Sequence, residues 1–279
     1  MAQAQRIIAT IMGCGSSGGV PRIGGDWGAC DPANPKNRRS RCSLLIEGYS
    51  SGSDQPTRII VDTGCDLREQ LLAANVDRVD AVLYTHEHAD HTHGIDDLRV
   101  LALNNRRRVD VYFSQEAANR IVPSFAYCFT APPNSGYPPI LNQHIIEAGE
   151  PLTIDGPGGS ITVHPFRQDH GEIFSLGFRV HNFAYSCDLS GIPEESELAV
   201  SGLDCWVLDA LRPAPHPSHL SLPQALEHVE RFRPRHAVLT NLHIDLDYAR
   251  TDAMTPDYVR PAYDGLQVDV TTGEVISPR

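Results

Sequence analysis

Four potential metal ligands lie within six consecutive residues, His86-Glu87-His88-Ala89-Asp90-His91, directly after the apolar, strand-like run Ala81–Thr85. Residues two apart in extended chain project to the same side, so His86 and His88 can face one metal ion. Asp90 and His91 follow as the chain turns, and they can face a second, adjacent ion. Because neutral imidazole and carboxylate groups suit zinc and manganese, with iron as a third option, this spacing predicts a centre of two divalent ions.

Three further ligands are predicted downstream, and each of them follows an apolar strand. His170 comes after Ile161–Pro165, Asp188 comes after Asn182–Tyr185, and His243 comes after His236–Leu239. Each strand can therefore deliver one ligand at its tip, and two metal ions need more than the four ligands of the first run.

The last of these ligands has a neighbouring rival, Asn241. An asparagine offers a metal only a neutral amide oxygen, which is a poorer ligand than imidazole. We expect the extended chain of β-strand His236–Leu239 to continue to His243, so that residues 241 and 243 point the same way. The sequence therefore predicts His243 as the ligand and Asn241 as a supporting hydrogen-bond partner.

Short apolar runs dominate the elements that must position these residues, and they predict strands. Helical spacing is confined to a few segments, among which Leu222–Phe232 is the clearest. The predicted strands are Arg6–Met12, Cys42–Glu47, Arg58–Val61, Ala81–Tyr84, Val109–Phe113, Ile161–Pro165, Leu176–Val180, Asn182–Tyr185, Cys205–Leu208 and His236–Leu239, and the predicted helices are Leu67–Ala74, Asp96–Leu103 and Leu222–Phe232. Pro123–Pro139 reads as a long loop. This order predicts one α+β domain over 1–279, with two sheets and helices packed outside them.

Charge and cysteine content limit the partners. The chain has 279 residues and a net charge of −12, a background that repels a long nucleic acid but leaves a small phosphate ester accessible to a metal centre. The seven cysteines are scattered, which favours reduced thiols in the cytosol over a disulfide framework. We find no signal peptide and no apolar stretch of membrane-spanning length, and we expect a cytoplasmic protein.

The pattern His86-x-His88-x-Asp90-His91, followed by His170, Asp188 and His243, resembles the metallo-β-lactamase superfamily. Within it, four segments are similar to the PhnP-like group of phosphoribosyl 1,2-cyclic phosphate phosphodiesterases. They are Trp27-Gly28-Ala29-Cys30, Arg38-Arg39-Ser40-Arg41-Cys42-Ser43, Tyr185-Ser186-Cys187-Asp188-Leu189-Ser190-Gly191-Ile192-Pro193 and Leu239–Tyr248. The resemblance implies an αββα four-layer sandwich with its site at the strand ends between the sheets.

The resemblance also implies roles for these residues. One metal would lie on His86, His88 and His170, and the other on Asp90, His91 and His243, with Asp188 bridging both. Asp90 and Asp188 would thus serve catalysis through the metals, by activating a bridging water as hydroxide. His219 is at the position of the group's acid histidine, and His216 is its rival for protonating the leaving oxygen.

The leading hypothesis is hydrolysis of a small cyclic or diester phosphate, such as a phosphoribosyl cyclic phosphate or a nucleotide-like compound. Ribonuclease Z-like processing of tRNA precursors and thioester hydrolysis are alternatives within the superfamily. A non-catalytic nucleotide-binding module is the alternative of a different class, and a full ligand set argues against it. A homodimer is compatible with the sequence.

Overall fold

In the computed structural model, which describes residues 2–131 and 133–276, the strands form two sheets. The first sheet has the order β15-β14-β1-β2-β3-β4-β5-β6, and the second has the order β13-β12-β11-β10-β9-β8-β7. The strands are β1 (Arg6–Gly13), β2 (Ser43–Tyr49), β3 (Thr57–Val61), β4 (Ala81–Leu83), β5 (Val109–Phe113), β6 (Leu141–Ile145), β7 (Leu152–Ile154), β8 (Ile161–His170), β9 (Ile173–Val180), β10 (Phe183–Ser186), β11 (Cys205–Asp209), β12 (His236–Thr240), β13 (Val259–Pro261), β14 (Gln267–Asp269) and β15 (Glu274–Ile276).

Seven α-helices accompany the sheets in the described part of the chain. They are α1 (Leu67–Ala73), α2 (Ala89–Thr92), α3 (Leu98–Asn105), α4 (Gln115–Ser124), α5 (Ala126–Phe129), α6 (Leu222–Phe232) and α7 (Tyr248–Met254). None of them is long and apolar enough to cross a lipid bilayer.

Alternation along the strands explains why the sheets are covered on both faces. In β2, Leu44 and Ile46 belong to the core between the two sheets, whereas Leu45 packs with the helices outside. In β11, Val207 faces the same central core, and Trp206 packs in the outer cluster that includes α6. Since successive residues of a strand point to opposite faces, continuous apolar runs give buried strands and an α/β/β/α layering. The predicted fold class, an αββα sandwich, is confirmed.

One predicted loop is wrong over its first part. Pro123–Pro139 does not begin as a loop, because α4 runs through Pro123 and α5 follows it. Ser114 starts α4 by accepting a hydrogen bond from the Ala117 amide at 3.1 Å. Pro123 lacks the amide hydrogen that would bond the carbonyl of Asn119, and α4 ends one residue later, at Ser124.

The parallel strands β10, β11 and β12 end at the same edge of the second sheet, and β4 ends nearby in the first. The loop after β11 returns to this edge, since the Leu220 amide donates to the Leu189 carbonyl at 2.8 Å and the Leu211 amide donates to the Leu220 carbonyl at 2.9 Å. α6 then begins with a capping box between Ser221 and Gln224. These contacts fix the loop that carries His216 and His219.

Candidate metal centre

The run after β4 splits into two pairs, as its spacing predicts. His86 and His88 lie in extended chain, and α2 begins at Ala89, so that Asp90 and His91 occupy its first turn. His86 and His91 are buried, Asp90 is half-buried and His88 is exposed. The short helix therefore turns the second pair away from the first while both pairs stay beside the same edge of the sheet.

Asp188 lies at the centre of the assembled histidines. Its Oδ2 is 3.7 Å from His86 Nε2 and 3.8 Å from His170 Nε2, whereas its Oδ1 is 3.4 Å from His91 Nε2. Burial alone would raise the pKa of Asp188, but the surrounding histidines hold that pKa well below its ordinary value. The two oxygens of one carboxylate thus face two different sets of ligands, which is the geometry that the bridging role requires.

The first ligand set fits a metal ion. His86, His88, His170 and Asp188 bring one ligand atom each to within 4.8 Å of one another. His86 Nδ1 is 2.9 Å from Thr85 Oγ1, whose hydrogen goes to Asp62, and this leaves the buried His86 Nε2 with no hydrogen-bond partner. A buried imidazole nitrogen that has no hydrogen-bond partner and faces other lone pairs would be satisfied by a bound cation.

His86 and His170 have surroundings that favour the neutral imidazole. His170 Nδ1 donates to the Ser218 carbonyl at 2.7 Å, so its Nε2 lone pair faces His88 Nδ1 at 3.4 Å. Burial lowers the pKa of His170, and burial lowers the pKa of His86 well below its ordinary value. Both imidazoles are therefore neutral, the form in which histidine binds a metal.

The second set surrounds one histidine with carboxylates. His91 Nδ1 donates to Asp62 Oδ2 at 2.7 Å, and His91 Nε2 lies 3.5 Å from Asp90 Oδ2. Burial acts to lower the pKa of His91, yet Asp188 and Asp62 hold that pKa well above its ordinary value. This excess of negative charge fits a second cation, and Asp62 orients the imidazole as outer carboxylates do around metal-bound histidines.

Asp62 and Asp209 were not predicted as site residues. Asp62 accepts hydrogen bonds from the Thr85 amide and hydroxyl, both at 2.8 Å, and Asp209 is the last residue of β11. The available signal for Asp62 was a carboxylate directly after β3, the strand beside β4, and for Asp209 it was a carboxylate at the end of the apolar strand β11.

His219 reaches the centre and His216 lies outside it. His219 Nδ1 donates to Asp209 Oδ2 at 2.9 Å, while His219 Nε2 is 3.9 Å from Asp188 Oδ2. Burial acts to lower the pKa of His219, but Asp209 and Asp188 raise it above its ordinary value. His216 has Ser218 as its hydrogen-bond partner, and burial lowers its pKa. His219 is thus the better placed proton donor, and its role as general acid stays a prediction.

The expectation of an extended chain up to His243 is wrong. β12 ends at Thr240, and Asn241 adopts a left-handed conformation with φ of 59°. His243 lines the same pocket, but it does not lie with the histidines and carboxylates of the two ligand sets. Arg22 Nη2 donates a hydrogen bond to His243 Nε2, and His243 Nδ1 lies 2.8 Å from Asp245 Oδ2. Both ring nitrogens are occupied, which removes the geometric basis for assigning His243 to the second metal.

Asn241 occupies the place that His243 was expected to fill. Its Nδ2 donates to Asp188 Oδ1 at 3.0 Å and lies 3.1 Å from His219 Nδ1. The side chain is buried, with Cys42 Sγ 4.0 Å from its Oδ1. Asn241 therefore contacts the bridging carboxylate itself.

We expect His243→Ala to keep the metal content of the wild-type protein, because neither ring nitrogen is free for an ion. Removing the imidazole takes one hydrogen bond from the Arg22 guanidinium, so KM should rise about tenfold, the equivalent of one such bond to a charged group. Elemental analysis and steady-state kinetics measure the two effects, with the exposed His181→Ala as a matched control. Loss of one ion from His243→Ala would restore its assignment as a ligand.

The centre opens into a pocket of about 300 Å³. Arg22 and Arg212 line it together with Ser16, Ser17 and His216. The guanidinium of Arg212 bonds the Ala214 and Pro215 carbonyls, and among the residues that the structure describes neither arginine pairs with a carboxylate. The pocket thus combines a carboxylate-rich floor with a cationic wall.

Residues 57–244 match the model of the β-lactamase superfamily domain, and together with the layered fold this places the chain in the metallo-β-lactamase superfamily. A diphosphatase of the PhnP family, known from its crystal structure, is 31% identical, with a TM-score of 0.84 over 96% of this chain and 98% of that one. The chain belongs to the PhnP family.

Two other similar proteins match less well, one in the share of its length that is covered and the other in sequence identity. An octanoyltransferase from Porphyromonas gingivalis (strain W83) is 31% identical over 260 residues, which are 92% of this chain, and the chain spans only about half (50%) of that protein. The metallo-β-lactamase fold protein YhfI from Bacillus subtilis is 16% identical, with a TM-score of 0.69 over 95% of this chain and 100% of that one. YhfI supports the fold alone.

Proposed function

We propose that this chain is a phosphodiesterase that hydrolyses a small cyclic or diester phosphate, phosphoribosyl-like or nucleotide-like. The observation that carries the proposal is that Arg22 and Arg212 line the same small pocket as the histidine-aspartate centre. Two guanidinium groups that pair with no carboxylate of residues 2–131 and 133–276 are well suited to the oxygens of a phosphate. The pocket volume of about 300 Å³ suits a compact ligand and argues against a long nucleic acid.

Each residue has a defined part in this reaction. Two divalent ions, zinc or manganese, would lie on the His86, His88, His170 set and on the Asp90, His91 set, with Asp188 shared; when bound, they would acidify water and offset phosphoryl charge. Arg22 and Arg212 orient the phosphate.

The proton for the leaving oxygen comes from His219. Its Nε2 faces the centre, and its Nδ1 is held by Asp209 at 2.9 Å. That contact fixes the ring orientation and favours the protonated imidazole, which can give its Nε2 proton to an alkoxide as the bond to phosphorus breaks. Asp209 is therefore a positioning residue, and its own pKa is raised to about 6 by burial.

A second candidate is cleavage of a phosphoanhydride, favoured by the similarity to a diphosphatase of the PhnP family. The same residues would serve it, since both reactions break a phosphorus–oxygen bond and release an oxygen leaving group.

We also propose a reducing, cytosolic setting, because all seven cysteines are free thiols and six of them are buried.

We expect the metal-loaded protein to hydrolyse bis(p-nitrophenyl) phosphate at least roughly tenfold faster, in kcat/KM, than p-nitrophenyl phosphate. The monoester carries one more negative charge and lacks the second ester group, so it fits the proposed diester-binding pocket less well. The same assay should include 2′,3′-cyclic nucleotides, a nucleoside diphosphate diester, a thioester and a tRNA precursor.

Arg212→Ala should raise KM for the diester with little change in kcat, whereas Arg106→Ala, which removes an exposed charge outside the pocket, should change neither. Faster cleavage of the thioester or of the tRNA precursor than of any small phosphate would overturn the proposal. Preference for the diphosphate diester over every phosphodiester would select the second candidate.

A further inference from the structure

The two metal positions of this centre are built from different donor atoms. The first set offers three imidazole nitrogens, from His86, His88 and His170, and one oxygen of Asp188. The second set offers a single imidazole nitrogen, that of His91, with carboxylate oxygens of Asp90 and Asp188. Nitrogen-rich sites favour zinc, whereas oxygen-rich sites suit harder ions such as manganese or magnesium.

Asn241 increases this difference. Its amide lies against the same Asp188 oxygen that faces His91, at 3.0 Å from Nδ2. As placed, the NH₂ group donates a hydrogen bond to Asp188 Oδ1 and so satisfies part of the charge that a cation would otherwise satisfy. With the amide reversed, Asn241 would offer one neutral oxygen, and the second position would still contain a single nitrogen ligand.

Cys187 offers a further donor atom near the second position. Its Sγ lies within 4.8 Å of a ligand atom of His91 and of Asp188, and it donates a hydrogen bond to Asp188 Oδ1 at 3.0 Å. The geometry gives this thiol a hydrogen-bonding role towards the carboxylate oxygen that faces His91, and Cys187→Ser tests whether it is also a ligand.

We propose that the centre is asymmetric: the His86, His88, His170 and Asp188 set holds one zinc-like ion tightly, and the Asp90, His91, Asp188 and Asn241 set holds a harder, more exchangeable ion. Such a protein keeps one ion through purification and takes up the second only when that ion is supplied. The inference concerns the metals alone and is independent of which substrate is hydrolysed.

The experiment measures metal binding directly. Apo-protein is titrated with Zn²⁺ and with Mn²⁺ by calorimetry, and metal retained after dialysis is measured by elemental analysis. We expect one Zn²⁺ per chain to survive dialysis. Mn²⁺ should then bind to the zinc-loaded protein, giving the electron paramagnetic resonance signal of one exchangeable ion.

Asn241→His supplies the missing imidazole and should tighten the second Zn²⁺ by roughly tenfold or more, the scale on which ligand-sphere changes act. Asn119→His, which adds a histidine on the exposed surface of α4, is the matched control and should bind as the wild type does. Should Asn241→His fail to fold, Asp90→Ala tests the same point: it should abolish Mn²⁺ uptake and leave the tight Zn²⁺ in place.

Three outcomes would overturn the inference. They are two Zn²⁺ ions bound by the wild type with dissociation constants within about tenfold, loss of the dialysis-resistant ion in Asp90→Ala, and loss of the second ion in Cys187→Ser, which would make the thiol a ligand of that position. Activity is not needed to read any of them, so an error in the substrate assignment leaves the result interpretable.

Discussion

Replacement of His219 by alanine is expected to lower kcat roughly 10²–10⁴-fold on a diester with a poor alkoxide leaving group, the usual worth of a positioned general acid. On a p-nitrophenyl diester the loss should be far smaller, because nitrophenolate departs without a proton. The structural reason is the position of His219 Nε2, which faces Asp188 Oδ2 at 3.9 Å while Asp209 holds the other nitrogen.

Two variants separate proton transfer from mere support of the site. His216→Ala should retain most activity on both substrates, since His216 bonds Ser218 and not a carboxylate. Asp209→Asn should move the alkaline limb of the pH profile to lower pH, because a general acid acts only while protonated and the change removes the charge that raises the pKa of His219. Equal losses on good and poor leaving groups in His219→Ala would show that another group supplies the proton.

Asp188→Ala is expected to have the largest effect on the metal centre. The variant loses a carboxylate whose two oxygens face the two ligand sets, so retained metal should fall towards zero at stoichiometric supply. Activity should fall by more than roughly 10²-fold, because removal of mere outer partners of metal ligands already costs 10–100-fold. Elemental analysis after dialysis and a diesterase assay measure the two losses.

Glu172→Ala removes an exposed carboxylate from the β8–β9 turn and should leave metal and activity unchanged. Circular dichroism establishes that Asp188→Ala is folded, and Asp188→Asn preserves the volume while removing the charge. If the folded variants retained both ions, the bridging role of Asp188 would be wrong.

The metal-binding run was predictable because its information is local. His86 and His88 follow an apolar strand, and alternation alone gives their common direction. His170 and Asp188 are likewise delivered at strand ends, although β8 extends to His170 itself rather than ending at Pro165. Short continuous apolar runs also predicted the strands of the two sheets, because strands that are buried on both faces have this pattern.

The failures arise where a single residue changes the direction of the chain or where tertiary contacts select a partner. A left-handed Asn241 redirects the chain after β12, and asparagine is compatible with both that conformation and an extended one. Asp62 and Asp209 look like ordinary strand-end carboxylates until the fold brings His91 and His219 to them. No local pattern encodes those pairings.

The ligand groups of the centre come from both sheets: the His86–His91 run follows β4 of the first, whereas His170 and Asp188 follow strands of the second. An ion bound to all of them can persist only while the two halves of the sandwich stay together. By mass action, such an ion stabilises the native state by about 4 kcal/mol when free metal exceeds its dissociation constant a thousandfold. We therefore expect metal depletion to lower the fraction of folded protein, whatever reaction the centre catalyses.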